Sequence, residues 1–162
     1  MNDKYNQEIK PFVLRPAAQA DFPAIRELIH AVNINPTGLD WRRFVIAVNP
    51  GGELVGCGQV KPHRDGSHEL ASIAVIPKMR GNGVARVIIE RLLAEHSGVL
   101  FLTCRANMGP FYTKFGFRIA ELREMPRYFR TVQRFASAML RLGMVDYGLL
   151  IMIRDDPHRP FA

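Results

Sequence analysis

The sequence predicts a mixed α/β fold: a mostly antiparallel sheet with a central βαβ crossover and flanking helices. Three observations predict it. Between Phe44 and Ile76, three short apolar segments are separated by Asn49-Pro50-Gly51-Gly52 and Arg64-Asp65-Gly66-Ser67. Both are reversing turns, so the segments form an antiparallel meander. Glu69–Ile76, an amphipathic stretch from Val84 to Glu95, and the apolar run Val99–Cys104 then read as strand, helix, strand. Such a unit makes its two strands parallel neighbours. Finally, 162 residues with 48% apolar and 23% charged side chains fit one globular domain, burying roughly 70% of the surface its unfolded chain exposes.

The elements follow in order. Phe12–Pro16 is a short strand ended by proline. Asp21 stands where a helix cap belongs, Pro23 is tolerated in the first turn, and Ile25, Leu28, Ile29 and Val32 repeat at helical spacing. Asn33–Asp40 is a loop, followed by a short segment around Trp41. Phe44–Val48, Leu54–Val60 and Glu69–Ile76 are the meander strands, and Pro77 ends the third. In the helix Val84–Glu95, Val84, Ala85, Ile88, Ile89, Leu92 and Leu93 form one wide apolar stripe. Met108–Phe115 is a short helix closed by Gly116 in the left-handed capping position. Phe117–Leu122 is a strand, Arg127–Leu142 a basic helix with Tyr128, Val132, Phe135, Ala136 and Met139 as its apolar stripe, and Tyr147–Arg154 the last strand. Met1–Lys10 reads as a polar leader and Asp156–Ala162 as a tail, with a single domain, core 12–154, across residues 1–162.

Composition narrows the function classes. No apolar run approaches the 18 or so residues that span a bilayer, and the polar N-terminus is no secretory signal. Cys57 and Cys104 each sit in an apolar run with no partner at metal-ligand spacing. They read as small core residues of a cytoplasmic protein. The 22 Lys and Arg against 15 Asp and Glu give a net charge of +7, which attracts anions without saying which.

The segment Val75-Ile76-Pro77-Lys78-Met79-Arg80-Gly81-Asn82-Gly83-Val84-Ala85 is the most informative. A strand runs into a glycine loop that opens a helix, and that assembly binds phosphate: glycines let backbone N–H groups converge, and the helix start adds unpaired donors. No Walker lysine is present, and Arg86 stands where a dinucleotide fingerprint needs its third glycine. Arg80, Gly83 and Ala85 satisfy a third pattern, Arg/Gln-x-x-Gly-x-Gly/Ala. A turn that uses glycine only for geometry is the alternative.

In this loop the sequence resembles the GNAT superfamily of N-acetyltransferases, which transfer acetyl from acetyl-CoA to an amine. A second block, Met108-Gly109-Pro110-Phe111-Tyr112-Thr113-Lys114-Phe115-Gly116-Phe117, is similar to the family's Phe-Tyr-x-x-x-Gly-Phe segment. The resemblance covers about Phe12 to Arg154. It implies that main-chain groups of Ile73, Ala74 and Val75 pair with the pantetheine arm and that one N–H there, that of Val75, stabilises the oxyanion. It implies that Arg80, Gly81, Asn82, Gly83, Val84 and Ala85 hold the pyrophosphate without a metal, with Phe111 and Asn107 also on the cofactor side. Arg105 occupies the place, seven residues before the tyrosine, where the family often has asparagine; Asn107 lies two residues later.

Tyr112 is then the candidate general acid for the departing thiolate, against the alternative of a core aromatic. Glu69, at the histone-acetyltransferase branch's offset of eleven residues before Arg80, is the candidate base. The alternative is an exposed carboxylate. His63 and His68 are further candidates, otherwise hairpin surface residues. The helix Arg127–Leu142 has no acidic residue and reads as a lid, as a homodimer or acidic-partner surface, as a membrane-surface helix, or simply as a helix packed on the sheet with a solvated arginine face. The expected reaction is direct transfer to a small-molecule or peptide amine in a ternary complex. A non-catalytic acyl-CoA-binding domain is the alternative, and neither nucleic-acid nor membrane binding is expected.

Overall fold

A computed structural model describes residues 12–156; the polar leader and all of the tail beyond Asp156 lie outside the described residues. Seven strands, β1 (Val13–Pro16), β2 (Phe44–Val48), β3 (Leu54–Pro62), β4 (His68–Val75), β5 (Leu100–Arg105), β6 (Arg118–Ile119) and β7 (Leu149–Arg154), form one sheet in the order β1-β2-β3-β4-β5-β7-β6. Four α-helices accompany them: α1 (Phe22–Ala31), α2 (Val84–Glu95), α3 (Gly109–Thr113) and α4 (Arg127–Arg141). The expected parallel crossover is present, and of the expected meander β2–β3 is antiparallel with β4 next to β3. β1–β2 and β2–β3 are antiparallel, and β4 pairs with β5 in parallel at Glu69↔Phe101.

The chain divides into two compact units, one up to Gln59 with Ser72–Arg91, the other Val60–Ala71 with the chain from Leu92. In the first, α1 buries Ile25, Leu28 and Ile29 against Phe44, Ile46, Cys57 and Ala74. Residues alternate across a strand, so Gly56, next to Cys57, faces the opposite side. There α2 comes so close that a Cβ on Gly56 would stand 2.7 Å from Val84 Cγ1 and 3.2 Å from Ile88 Cδ1. Gly56 is what lets this helix lie on the strand.

In the second unit, β5 pairs with β7 from Leu100↔Arg154 to Arg105↔Leu149. α4 docks through Phe129, which packs with Phe101, Ala120, Met125, Ile151 and Ile153. On the other face Gly109 of α3 lies against Leu150.

Four expectations change. Asp21 does not cap α1: a 3-10 turn, Gln19–Asp21, runs straight into the helix, and the carboxylate instead binds Arg15 at 2.7 and 2.8 Å and the Ala18 N–H. The strand expected over Phe117–Leu122 shrinks to Arg118–Ile119, because after Ala120 the chain turns and the Glu121 N–H donates to Glu124. Phe135 leaves the apolar stripe of α4 and is 67% exposed, its place taken by Phe129. The start of the short helix becomes a 3-10 turn, Ala106–Met108, before α3.

β1 and β6 are the sheet edges. Pro16 ends β1, and Arg118 of β6 is clamped by Glu124 at 2.7 and 2.8 Å and by Asp155 at 3.1 Å. Among the described residues no helix is long and apolar enough to cross a membrane.

Candidate active site

The glycine loop is built as its sequence requires. Pro77–Met79 form a 3-10 turn, Gly81 and Gly83 adopt φ of +80° and +78°, and α2 starts at Val84. L-residues avoid those angles, and at neither glycine would a Cβ meet anything within 4 Å, so conformation rather than crowding calls for glycine. The Arg80 and Asn82 N–H groups are donated inside the loop, to Pro77 and Met79 carbonyls at 3.2 and 3.4 Å. The first N–H groups of α2 have no intrahelical carbonyl to meet. Arg80 turns its Nε back onto the Val75 carbonyl at 3.3 Å, tying loop to strand end.

β4 is irregular immediately before Ile73, Ala74 and Val75. Ser72 has φ +58°, a left-handed conformation for a non-glycine residue inside a strand. Gln59, fully buried on β3, holds it: Nε2 donates to Ser72 Oγ at 3.0 Å and reaches the Gly38 carbonyl at 3.5 Å. Gln59 Oε1 is buried without a partner. A left-handed residue thus interrupts the regular strand geometry directly before Ile73, Ala74 and Val75.

Glu69 is no exposed carboxylate. It is 7% exposed, its Oε2 lies 2.8 Å from His63 Nε2 and 3.5 Å from Lys61 Nζ. Nor is His63 a hairpin surface residue: its ring stacks on Tyr128 with centroids 3.6 Å apart and meets Phe129 edge-on. Asp65, in the β3–β4 turn, accepts from the Tyr128 N–H at 2.8 Å and so caps α4 from outside the helix. Burial opposes the Asp65 charge, but hydrogen bonds from Ser67 and Tyr128 outweigh it and hold the carboxyl below its usual range. A turn residue thus fixes the helix that covers the His63–Glu69 pair. His68 sits elsewhere, beside His96 with ring centroids 5.1 Å apart.

Tyr112 lies on α3 with its ring edge-to-face against Phe111 and Phe117. Burial, reinforced by the Cys104 thiol nearby, pushes its hydroxyl up to about 12. It therefore stays protonated at neutral pH, as a proton donor must. Asn107 is exposed in the 3-10 turn, and the Arg105 guanidinium sits 4.4 Å over the Tyr147 ring. Cys104 is pushed up to about 11 by burial, which makes it a poor nucleophile. Among the described residues no three His, Cys, Asp or Glu side chains group as a metal site.

Sequence reasoning missed Gln59, Lys61 and Ser72 and undervalued His63. The available signal was Gln59, Lys61 and His63 at alternate positions, a polar row on one strand face.

Known proteins share this fold. The family profile described as acetyltransferase (GNAT) domain matches residues 40–119. An amino-acid acetyltransferase of Mycobacterium tuberculosis is 31% identical over 91 residues, 50% of this chain and 52% of that protein. The chain thus spans about half the length of that relative. The Mycobacterium tuberculosis protein Rv2747, solved with CoA and the ligand NLQ, superposes with a TM-score of 0.65 at 25% identity, covering 88% of this chain and 98% of that one. N-acetylglutamate synthase from Neisseria gonorrhoeae, solved with coenzyme A and N-acetyl-glutamate, shares the fold at a TM-score of 0.67 and 21% identity, over 91% of this chain and 35% of that one. The chain belongs to the GNAT acetyltransferase superfamily.

Proposed function

We propose that this protein is an N-acetyltransferase that moves acetyl from acetyl-CoA to the amine of a small molecule, with amino acids the first class of acceptor. The loop Arg80–Ala85 carries the reading: two glycines in left-handed conformations at a helix start make an anion cradle of main-chain donors. Since Arg80 and Asn82 spend their N–H groups within the loop, the donors to the pyrophosphate are those of Gly81, Gly83, Val84 and Ala85. The main chain of Ile73, Ala74 and Val75, which follows the left-handed Ser72, pairs with the pantetheine arm, and the Val75 N–H stabilises the developing oxyanion. The family resemblance assigns Phe111 and Asn107 to the cofactor as well.

The proton path uses two groups. An acceptor ammonium must lose a proton before its nitrogen can attack, and the His63–Glu69 pair takes it. His63 Nε2 lies 2.8 Å from Glu69 Oε2, and in the tautomer that donates Nε2–H to that oxygen, Nδ1 is the nitrogen left to accept a proton. As the amine nitrogen bonds to the acetyl carbon and the carbon–sulfur bond breaks, Tyr112 gives its proton to the departing thiolate. Support for an amino-acid acceptor comes from the similarity to the mycobacterial amino-acid acetyltransferase.

The test is thermal unfolding with acetyl-CoA, with NADH and ATP as controls. At 100 times its dissociation constant a ligand adds about 2.7 kcal/mol, on the order of 5–10 °C here. A shift with acetyl-CoA alone, followed by amino-acid-dependent thiol release, supports the enzyme. A shift without release from any amine identifies a non-catalytic binder instead, and no shift removes the reading. Tyr112→Phe should lower kcat roughly 10²- to 10⁴-fold with KM for acetyl-CoA nearly unchanged; full activity would remove it as the acid.

A further inference from the structure

Arg15, Arg42, Arg43, Arg86, Arg118 and Arg123 each pair with a carboxylate. Others, such as Arg64, Arg105 and Arg127, show no such pair among the described residues, and of these Arg130, Arg134 and Arg141 of α4 are distinguished by sharing one groove. Arg130 donates Nε to the Met125 carbonyl at 2.7 Å, and among the described residues none of the three meets an acidic group. Nor can a neighbour in sequence supply one, since residues 126–145 contain no Asp or Glu.

These three side chains line one groove of about 470 Å³ together with Leu122, Gln133 and Ala138. At 100° per residue, positions 130, 134 and 141 fall within roughly 40° of one another around the helix, and they span about 16 Å along it at 1.5 Å per residue. Like charges at i, i+4 repel, and among the described residues no carboxylate offsets this row. Gln133 also lines the groove, with its Oε1 buried and without a hydrogen-bond partner among the described residues.

We propose that the α4 groove is a docking site for an acidic segment of a partner protein, one that carries carboxylates interleaved with aliphatic side chains. Guanidinium forks match carboxylates in charge and geometry. The row is too long for a single small anion and suits an extended chain of about five residues at 3.3 Å each. Leu122, which is 65% exposed, and Ala138 give the aliphatic side chains a surface. A single-stranded nucleic acid would need an aromatic platform, and the groove has none: Phe135 lies about a quarter turn from Arg134. A bilayer is flat and would leave a concave groove unfilled.

The probe is a fluorescein-labelled peptide of alternating Glu and Leu, read by anisotropy at physiological salt. It is compared with its Gln-for-Glu counterpart, an oligouridylate of equal length, and phosphatidylcholine vesicles containing phosphatidylserine. The Glu peptide should bind best, and Arg134→Gln with Arg141→Gln should weaken it about tenfold or more, as expected for losing charge-assisted hydrogen bonds. Both substitutions lie on an exposed helix face, so the unfolding temperature and acetyl transfer to a small amine should not change. Absence of Glu-peptide binding, equal binding of the Gln peptide, an affinity indifferent to the double substitution, or stronger binding of the oligouridylate or vesicles would each overturn the proposal.

Discussion

Gly56→Ala tests the packing that places the cofactor loop. The added Cβ would stand 2.7 Å from Val84 Cγ1, 3.1 Å from the Ala74 carbonyl oxygen and 3.2 Å from Ile88 Cδ1. Carbon contacts relax at about 3.5 Å, so the closest is short by roughly 0.8 Å. Valine is stiff at χ1 and cannot swing aside, and a backbone carbonyl bars the other direction. The first turn of α2 must therefore move. Overpacking of this kind destabilises by about 1–3 kcal/mol, or roughly 2–12 °C in Tm for a chain of this size. Because that turn contains Val84 and Ala85, the stabilisation by acetyl-CoA should shrink too. The assay is thermal unfolding of Gly56→Ala, Val84→Ala and the double variant, with and without acetyl-CoA. Val84→Ala opens the space the new methyl needs, so the double variant should be more stable than the sum of the single losses by about 0.5–3 kcal/mol. Strict additivity, or a Gly56→Ala protein within about 0.5 kcal/mol of the parent, would refute the argument.

Three further outcomes are expected. Ser72→Gly should be more stable than Ser72→Ala by about 1–2 kcal/mol, since both lose the bond from Gln59 but only glycine relieves the left-handed backbone; the reverse order in denaturant unfolding would show that the backbone at Ser72 is not strained. Hydrogen bonds from Arg118, then from the Glu121 N–H, hold the Glu124 carboxyl at about 2 instead of 4.5. Its folded value is the lower one, so its stabilisation is complete above about pH 4.5 and is lost as pH falls toward 2. Arg118→Gln should flatten that acid limb, and an unchanged limb would dismiss the clamp. Burial pushes the Cys57 thiol up to about 12 and that of Cys104 to about 11, so iodoacetamide at pH 8 should label neither in the folded protein and both in guanidinium; rapid labelling of Cys104 would reopen an acyl-thiol route.

The fold was legible where periodicity and punctuation agree. Asn49–Gly52 and Arg64–Ser67 announce their turns, and the stripe of α2 and the two loop glycines sit where the pattern puts them. Failures occurred where tertiary contacts override local signals. Asp21 looks like a cap from its neighbours alone, yet Arg15, six residues away, takes its carboxylate. Phe129 and Phe135 both suit an apolar stripe, and only the surface offered by Phe101 and Ile151 selects the first. Within the site, Glu69 and Tyr112 were visible as residue types at expected spacings. The partners that define their chemistry were not, because His63 and Tyr128 meet through a turn and a helix start 65 residues apart.

The ends of the sheet carry one more consequence. An open sheet displays a row of unsatisfied donors and acceptors at each margin, the template from which fibrils and runaway strand addition grow. Here Pro16 withholds its N–H at one margin, beside a charged Arg15. At the other, β6 offers only two residues, one of them held down by two carboxylates. Neither margin can be extended by more than a bond or two, so concentrated solutions of the folded protein should resist edge-to-edge aggregation and keep thioflavin fluorescence at baseline.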